Sequence, residues 1–121
     1  MTCIFCVLDR KVVAENEHAI AFLDSFPVSP GHSLVVPRRH VPTIMDLGTE
    51  EYQACFLLVR QIQERLQVEL KPDGFNVGVN CGEVAGQTVL HAHIHVIPRF
   101  KGDTAHPRGG VRNVIPHKAD Y

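Results

Sequence analysis

Three histidines alternate with apolar residues late in the chain: His91, His93 and His95. In a β-strand, side chains at positions i, i+2 and i+4 lie on one face, with neighbours about 6–7 Å apart. We therefore predict that the three imidazoles share one face of a strand. The apolar residues of the run are expected on the opposite face: Leu90, Ala92, Ile94 and Val96.

Two kinds of chemistry use several imidazoles on one face. Neutral imidazole nitrogens are good ligands for zinc, so one interpretation is a metal site. In the other, one imidazole is a nucleophile at phosphorus and a neighbour handles protons, because a pKa near 6.5 leaves the neutral ring well populated at pH 7. The spacing leaves both open, although the run has no Asp or Glu that would complete a catalytic metal set.

The four cysteines are a second group of chemically useful residues. Cys3 and Cys6 form a C-x-x-C pair near the N-terminus, where no basic segment or long apolar stretch indicates export or a membrane span. We therefore expect a reduced, cytoplasmic protein whose cysteines bind metal or are buried rather than forming disulfides. Cys55 is expected in the core and Cys81 in a loop.

The overall composition is that of a globular domain without a strong net charge. The chain has 121 residues, of which 45% are hydrophobic and 21% charged, which is enough for a core and excludes disorder or collagen. Its 12 Lys and Arg against 13 Asp and Glu give a net charge of -1. Nonspecific binding of nucleic acid is therefore not expected.

Short strands are predicted to position the histidines. Weak alternation around Asn16 predicts two strands within residues 12–23, and an apolar run predicts a third over 33–36. Residues 75–80 and 88–97 predict two more strands, separated by a glycine-bearing turn that makes them a hairpin. These strands predict an antiparallel sheet.

One long helix is predicted between the third and fourth strands. Thr49 is its expected N-cap, and Pro72 and Gly74 end it. The fold class is therefore α+β, with an antiparallel sheet covered on one face by a single long helix. Apolar residues recur at spacings of three and four along the buried side of this helix: Tyr52, Cys55, Phe56, Val59, Ile62 and Leu66.

The histidine run and its flanks resemble the histidine-triad (HIT) family. The signature of that family is His-x-His-x-His followed by two apolar residues, which this chain carries from His91 to Ile97. The resemblance covers residues 3–99, except that Leu-Asp-Arg-Lys-Val-Val at 8–13 departs from the family's usual turn. Further residues match in order and spacing: Asp24, Pro30, Gly31, His32, Asn80, Gly86, Gln87, Thr88, Val89, Pro98 and Arg99.

The resemblance implies a HIT-like fold and a set of partners. The fold would be a five-stranded antiparallel α+β sheet with one long and one short helix, in a single domain over residues 1–121. Residues 100–121 would form a C-terminal extension. The family resemblance also implies a homodimer whose sheets join into one and a purine nucleotide substrate. From the charge balance and the short apolar runs, we expect neither nucleic acid nor a membrane as a partner.

The resemblance further implies a nucleotidyl hydrolase or transferase. The enzyme would cleave at the α-phosphate of a dinucleoside polyphosphate or an adenosine phosphoramidate. His93 would attack phosphorus and form a nucleotidyl-histidine intermediate, while His95 would contact phosphate oxygens and assist proton transfer. No organic cofactor is implied. The implied nucleotide-binding residues are Asp24 for the ribose, Asn80, Gln87 and Thr88 for phosphate, and Ile4, Phe5, Phe22 and Leu23 for the base.

A structural zinc ion is also implied by the resemblance. Some bacterial-type members with an N-terminal C-x-x-C hold zinc through the two cysteines, a histidine after the third strand and the first histidine of the triad. The corresponding residues here are Cys3, Cys6, His40 and His91. The alternative is that His40 forms a local hydrogen bond and the cysteines are buried thiols.

The sequence leaves open the role of the tail and two alternatives to the hydrolase function. Basic residues of the tail would either contact a polyphosphate leaving group or form an arm that packs in a dimer, and both interpretations stay open: Arg99, Lys101, Arg108 and Arg112. The alternatives to a hydrolase are a nucleotide-binding regulatory or scaffold protein with little turnover, and a metal-dependent hydrolase with histidines as catalytic ligands. The missing carboxylate argues against the last of these.

Overall fold

The part of the chain that the structure describes forms one five-stranded sheet and one α-helix. The structure is a computed structural model that describes residues 3–7 and 11–121. Residues 1–2 lie outside the described residues. So do residues 8–10, which are the first part of the segment 8–13 that departs from the family pattern. The elements are β1 (Val12–Glu15), β2 (Ala19–Leu23), β3 (Ser33–Pro37), α1 (Thr49–Leu70), β4 (Gly74–Val79) and β5 (Ile94–Arg99), with 3-10 helices at Ile44–Asp46, Glu83–Ala85 and Gly110–Val114.

The strands are antiparallel and lie in the order β1-β2-β3-β5-β4. The predicted pairing of β4 with β5 is confirmed, with Gly78 opposite His95 and Asn76 opposite Ile97. On its other side β5 pairs with β3, where Leu34 lies opposite His95. The strand that carries His95 is therefore held on both sides inside the sheet. This α+β architecture confirms the predicted fold class.

The last strand begins later than its apolar pattern indicates. The prediction placed it over residues 88–97, but β5 begins at Ile94, so His91 and His93 precede the strand. The backbone before β5 pairs elsewhere, since the Ala92 N–H donates to the Val41 carbonyl at 2.8 Å. Leu90, predicted to share a strand face with Ala92, Ile94 and Val96, precedes the strand and is 63% exposed, whereas those three residues are buried.

The N-terminus of α1 also differs from its prediction. Thr49 is the first helical residue rather than the cap, and Gly48 is the N-cap. The Glu51 carboxylate accepts a hydrogen bond from the Gly48 N–H at 3.0 Å, and a carboxylate in the first turn is also favourable beside the helix dipole. The cap is therefore provided by a residue inside the helix, which reaches back to the preceding backbone.

The two faces of the sheet have different covers. Helix α1 buries one face through its apolar side, where Cys55 is fully buried as predicted and packs with Leu58 and Ile62 against Ile94 and Val96. Phe5 covers part of the other face, in a second cluster with the following buried residues: Ile20, Phe22, Leu34 and Val36. Because alternate residues of β5 point to opposite faces, His95 lies on the face opposite the helix.

Within residues 3–7 and 11–121, no helix is both long and apolar enough to cross a lipid bilayer.

Candidate active site

The three predicted histidines lie close together at the start of β5. His91 is fully buried, His93 is 7% exposed, and His95 is partly buried within the strand. The ring centroids of His93 and His95 are 5.2 Å apart, and the two ring planes are inclined at 67°. Although only His95 belongs to the strand, the residues that precede it still bring the imidazoles into one group.

The tautomer of His93 is defined by a backbone carbonyl. The Nδ1 atom of His93 lies 2.9 Å from the carbonyl oxygen of His91. Because a carbonyl oxygen only accepts, Nδ1 carries the hydrogen and donates it. In the neutral ring this leaves Nε2 with a free lone pair. The Phe5 ring packs edge-on against His93, with centroids 5.2 Å apart, and fixes the ring plane.

His91 is oriented in the opposite sense by a second carbonyl. Its Nε2 atom donates to the Pro37 carbonyl at 2.8 Å, so Nδ1 carries the lone pair. That Nδ1 atom lies 3.4 Å from the Cys3 Sγ, 3.5 Å from the Cys6 Sγ and 3.2 Å from the His40 Nδ1. A hydrogen bond to a backbone carbonyl from the other ring nitrogen is what orients a metal-binding histidine in proteins.

These four side chains form a group that could hold a metal ion. One ligand atom from each of Cys3, Cys6, His40 and His91 lies within 4.8 Å of the others. In a tetrahedral zinc site with bonds of about 2.0–2.3 Å, ligand atoms are separated by about 3.3–3.8 Å. The observed nitrogen and sulfur separations of 3.2–3.5 Å match that spacing. Two thiolates and two imidazoles are also a common structural zinc set.

His95 belongs to a second chain of hydrogen bonds, which starts at the backbone of Val28. The Val28 N–H donates to His32 Nδ1 at 3.1 Å, so the hydrogen of neutral His32 is on Nε2. That Nε2 atom lies 2.9 Å from the His95 Nδ1 and 3.4 Å from the Asp24 Oδ2. His95 therefore accepts at Nδ1, and its own hydrogen is on Nε2.

Burial keeps this second chain neutral. Desolvation lowers the pKa of His32, and the nearby Asp24 carboxylate opposes that shift. The pKa of His95 is lowered to about 4, first by desolvation and then by repulsion from His93 and His32. At neutral pH, His95 is therefore an uncharged donor through Nε2 rather than a cation.

A cavity of about 410 Å³, which we call the histidine cavity, opens beside these rings. His93 and His95 line it together with five predicted nucleotide-binding residues: Ile4, Phe5, Asp24, Asn80 and Thr88. Among the described residues, no Lys or Arg lines it, so an anionic group here would meet neutral donors. Its other lining residues include Ser25, Phe26, Val28, His32, Leu34, Gly86 and Val89.

Three predicted binding residues do not line this cavity. Gln87 is buried, and its side-chain amide donates to the Pro42 and Val89 carbonyls while its oxygen accepts from the Gly82 N–H. It therefore holds the loop before the histidines instead of offering its amide to phosphate. Phe22 lies behind Phe5, with ring centroids 5.5 Å apart. Leu23 lies outside the cavity, because strand alternation places it on the same face as Ala21 and away from Phe22.

Two other lining residues have no clear signal in the amino-acid sequence. Phe26 is 87% exposed at the edge of the cavity, and a phenylalanine in a proline-rich loop carries no spacing pattern that marks it. His32, which matches the family in order and spacing but has no predicted role, contacts His95 directly. Its residue type was the available signal, since a buried histidine needs a hydrogen-bond partner for each nitrogen.

The basic residues of the tail are largely paired within the chain. Arg99 donates to both oxygens of Asp103 at 2.7 Å and to Asn76 at 2.7 Å. Arg108 and Arg112 lie over the ring of Tyr121, at 5.1 Å and 4.5 Å from its centroid. These contacts organise the tail, and neither the phosphate nor the dimer interpretation is tested by them.

The family model for the HIT domain matches residues 7–102 of the chain. The chain belongs to the HIT family. An uncharacterized HIT-like protein of Mycoplasma genitalium is 44% identical over 105 residues, which cover 83% of this chain and 74% of the relative. A bis(5'-adenosyl)-triphosphatase of Dictyostelium discoideum is 41% identical over 97 residues, with 80% of this chain and 65% of that protein covered.

A solved structure of another HIT protein supports the fold. The crystal structure of a zinc-bound histidine triad family protein from Mycobacterium smegmatis has a TM-score of 0.80 and 32% identity. The match covers 87% of this chain and 80% of that one. This HIT protein therefore shares its sheet and helix with a relative that binds zinc.

The lowered pKa of His95 can be tested by titration. A pH titration followed by NMR should place the His95 imidazole at a midpoint near 4, with the signal assigned by its loss in His95→Gln. Between pH 6.5 and that midpoint, unfolded His95 binds a proton that folded His95 does not. The free energy of unfolding should therefore fall as the pH falls through this window, and less so in His95→Gln. A midpoint at the ordinary value of about 6.5 would contradict the buried, neutral assignment.

Proposed function

We propose that this HIT protein is a nucleotide hydrolase that works through a covalent nucleotidyl-histidine intermediate on His93. The observation that carries the proposal is the 2.9 Å hydrogen bond from His93 Nδ1 to the His91 carbonyl, which leaves Nε2 as a free nucleophile beside the cavity. A neutral imidazole with a fixed lone pair can attack phosphorus without a separate base.

The histidine cavity offers suitable groups along the length of a nucleotide. Phe5 and Ile4 supply an apolar wall for the base, with the exposed ring of Phe26 at the edge. Asp24 Oδ1 already accepts from the Phe26 N–H, and Oδ2 lies on the His32 side, where ribose hydroxyls would find an acceptor. Asn80 and Thr88 supply neutral donors for phosphate oxygens.

His95 would stabilise the reacting phosphoryl group by hydrogen bonding. Because its Nδ1 accepts from His32, its Nε2–H is the group left to face a phosphate oxygen or the departing oxygen. The low pKa keeps this ring neutral, so it remains a donor throughout the physiological range. In this arrangement His32 is a positioning residue, since it acts on the substrate only through His95.

The reaction proceeds in two displacements at the α-phosphorus. In the first, His93 Nε2 forms the N–P bond and the bond from phosphorus to the leaving group breaks, with its electron pair going to that group. In the second, a water oxygen bonds to phosphorus, the N–P electron pair returns to Nε2, and the water's proton is released. Splitting the hydrolysis into two steps lets the same imidazole act as nucleophile and then as leaving group.

Relatives support a hydrolase over a binding protein without turnover. One is named a bis(5'-adenosyl)-triphosphatase, another an asymmetrical bis(5'-nucleosyl)-tetraphosphatase and a third an adenylylsulfatase. They are 35–42% identical to this chain over 93–106 residues. All three names describe enzymes that cleave at a nucleotide phosphate, and they differ in the leaving group.

Replacement of the nucleophile tests the hydrolase directly. His93→Gln should lower AMP release from diadenosine triphosphate or adenosine phosphoramidate by at least about 10³-fold, because no other group on the cavity replaces the lone pair. Nucleotide binding should persist. The matched control is His18→Gln, which changes a histidine in the β1–β2 turn and should leave turnover near that of wild type.

Two outcomes of this experiment would reject the mechanism. Turnover by His93→Gln equal to that of wild type would exclude a covalent step on His93. Tight AMP binding with no measurable turnover by wild type would favour the regulatory or scaffold function instead.

We also propose that Cys3, Cys6, His40 and His91 hold a structural zinc ion. The group is closed, since four protein atoms complete a tetrahedral shell and leave no position for water. Bound zinc would cross-link the N-terminal segment, His40 in the segment that follows β3, and the loop before β5. This closed set argues against a metal-dependent hydrolase, whose catalytic ion needs an open position.

Metal analysis tests the zinc proposal. Purified wild type should contain about one zinc per chain, whereas Cys3→Ala should contain less and should have a Tm lower by about 4 °C or more. Cys81→Ala is the matched control, since Cys81 lies outside the metal-binding group and should retain zinc. Trace zinc in wild type, together with an unchanged Tm in Cys3→Ala, would contradict the proposal. Loss of activity in chelator without loss of structure would favour a catalytic metal.

We further propose a cytoplasmic homodimer with residues 100–121 as a C-terminal extension of the domain. The support for a dimer is the position of β4 at the end of the sheet, where its six residues are all half-buried. An edge strand of this kind can pair with a second copy. The support for the extension is that the HIT-domain match ends at residue 102.

A further inference from the structure

The turn formed by residues 3–7, which we call the cysteine turn, is attached to the domain by its side chains. The Cys6 and Val7 N–H groups both donate to the Cys3 carbonyl at 3.1 Å, so the turn closes on itself. Within residues 3–7 and 11–121, no backbone hydrogen bond joins the cysteine turn to the sheet. Its position therefore depends on the contacts that the side chains of Cys3, Phe5 and Cys6 make.

Both sulfur atoms of the cysteine turn contact histidines. The Cys3 Sγ lies 3.4 Å from the His91 Nδ1, and the Cys6 Sγ lies 3.3 Å from the His40 Nδ1. Cys6 is exposed and Cys3 is half-buried, whereas Cys55 is enclosed in the core. A small solute can therefore reach the sulfur of Cys6 while the protein stays folded.

Phe5 lies between the two cysteines and connects the cysteine turn to the histidine cavity. Its side chain is buried, and its ring centroid lies 5.2 Å from that of His93 and 5.9 Å from that of His91. The same ring belongs to the cavity wall that we propose for the base. Because Phe5 directly precedes Cys6, a rearrangement of the cysteine turn moves this wall.

The cysteine turn has the geometry that a disulfide needs. A turn closed by a hydrogen bond between its first carbonyl and its fourth N–H holds the outer Cα atoms within about 7 Å, and disulfides join Cα atoms about 4.4–6.8 Å apart. The two sulfur atoms lie within 4.8 Å of each other, and a bond requires them to approach to about 2.0 Å. At least one cysteine side chain must therefore rotate, which disrupts its contact with His40 or His91.

We propose that Cys3 and Cys6 form a reversible oxidation site, at which a peroxide converts the pair into a disulfide and thereby weakens nucleotide binding in the histidine cavity. The inference rests on the proposed nucleotide site, but it requires neither turnover nor bound zinc.

The oxidation balances in two steps. The Cys6 Sγ attacks one oxygen of hydrogen peroxide, the O–O bond breaks, and the products are a sulfenic acid on Cys6 and water. The Cys3 Sγ then attacks the Cys6 sulfur, the S–O bond breaks, and the S–S bond forms with release of a second water. The two sulfurs lose two electrons in total, the peroxide gains them, and the two thiol hydrogens end in the water molecules. Where the proposed zinc ion is bound, solvent supplies those hydrogens as protons, and the ion loses two of its four ligands.

The disulfide acts on nucleotide binding through the ring of Phe5. That ring packs against Phe22, His91 and His93, and its backbone belongs to the turn that the disulfide rearranges. Loss of one aromatic contact with a base commonly weakens binding by about tenfold or more. We therefore expect the dissociation constant of AMP to rise by about that factor on oxidation.

The experiment treats purified wild type with an equimolar amount of hydrogen peroxide and measures its affinity for AMP by calorimetry. Cleavage after Arg10 gives one peptide that contains both cysteines, and the mass of this peptide should fall by two hydrogen atoms. The dissociation constant of AMP should rise by about tenfold or more. Dithiothreitol with zinc should restore the original affinity. A chromogenic chelator should detect release of any bound zinc as the disulfide forms.

Cys81→Ala and Cys3→Ser are the controls. Cys81 lies outside the group of potential metal ligands, so Cys81→Ala should respond to peroxide as wild type does. Cys3→Ser cannot form the disulfide, so its affinity for AMP should be the same before and after peroxide, whatever its starting value. This comparison separates the disulfide from oxidation of methionine.

The outcomes distinguish this inference from the proposals on which it builds. Absence of the disulfide from the peptide, unchanged AMP affinity in the disulfide form, a loss of affinity that reductant does not reverse, or an equal loss in Cys3→Ser would each overturn the oxidation site. Wild type that binds no AMP before oxidation would overturn the proposed nucleotide site and this inference together. Zinc-free wild type that forms the disulfide and loses affinity would support this inference and contradict only the zinc proposal.

Discussion

The hydrogen bond from His93 Nδ1 to the carbonyl of His91 is the interaction on which the candidate site depends. It determines which nitrogen of His93 carries the lone pair, and it does so through backbone rather than through a charged side chain. The carbonyl can hold this position only because His91 itself is fixed by Pro37 and by burial. The late start of β5 is what frees these residues for such contacts, since a regular strand would use the same carbonyls in the sheet.

His91 therefore connects two sites that differ in chemistry. Its side chain belongs to the group of cysteines and histidines that could hold a metal, and its backbone oxygen orients the proposed nucleophile. A metal ion bound in this closed site would affect catalysis only by holding His91, and with it the His91 carbonyl, in position. On the other side of the nucleophile, His32 and His95 form a neutral pair beside the Asp24 carboxylate, and the last nitrogen of this pair faces the cavity. Each of the three central imidazoles is thus oriented by a partner that is itself buried.

Much of the fold follows from local pattern, and the exceptions have physical causes. The 3.6-residue period of the long helix and the apolar run of β3 predicted their elements within a few residues, because the helix buries one face and β3 is buried at every residue. The predicted start of β5 was wrong. The backbone before β5 pairs with the loop around Val41, and the alternation of apolar and polar residues does not indicate such a tertiary contact.

Some residues of the site could be predicted from local pattern, and others could not. The three histidines were found by type and spacing, whereas the buried role of Gln87 and the contact of His32 with His95 depend on neighbours distant in sequence. The tail arginines were expected to face phosphate or a second subunit. Their pairing with Asp103 and Tyr121 could not be read from composition, because it depends on the path of the tail over β4.

The central claim is that His93 Nε2 becomes covalently bonded to phosphorus. Mass spectrometry of rapidly quenched protein, incubated with diadenosine triphosphate and digested under conditions that preserve the N–P bond, tests it most directly. We expect an adenylyl group on the peptide that contains His93, located at that histidine by fragmentation and absent from His93→Gln. Steady turnover with no adduct under conditions that preserve a synthetic adenylyl-histidine, or an adduct located at His95, would contradict the claim.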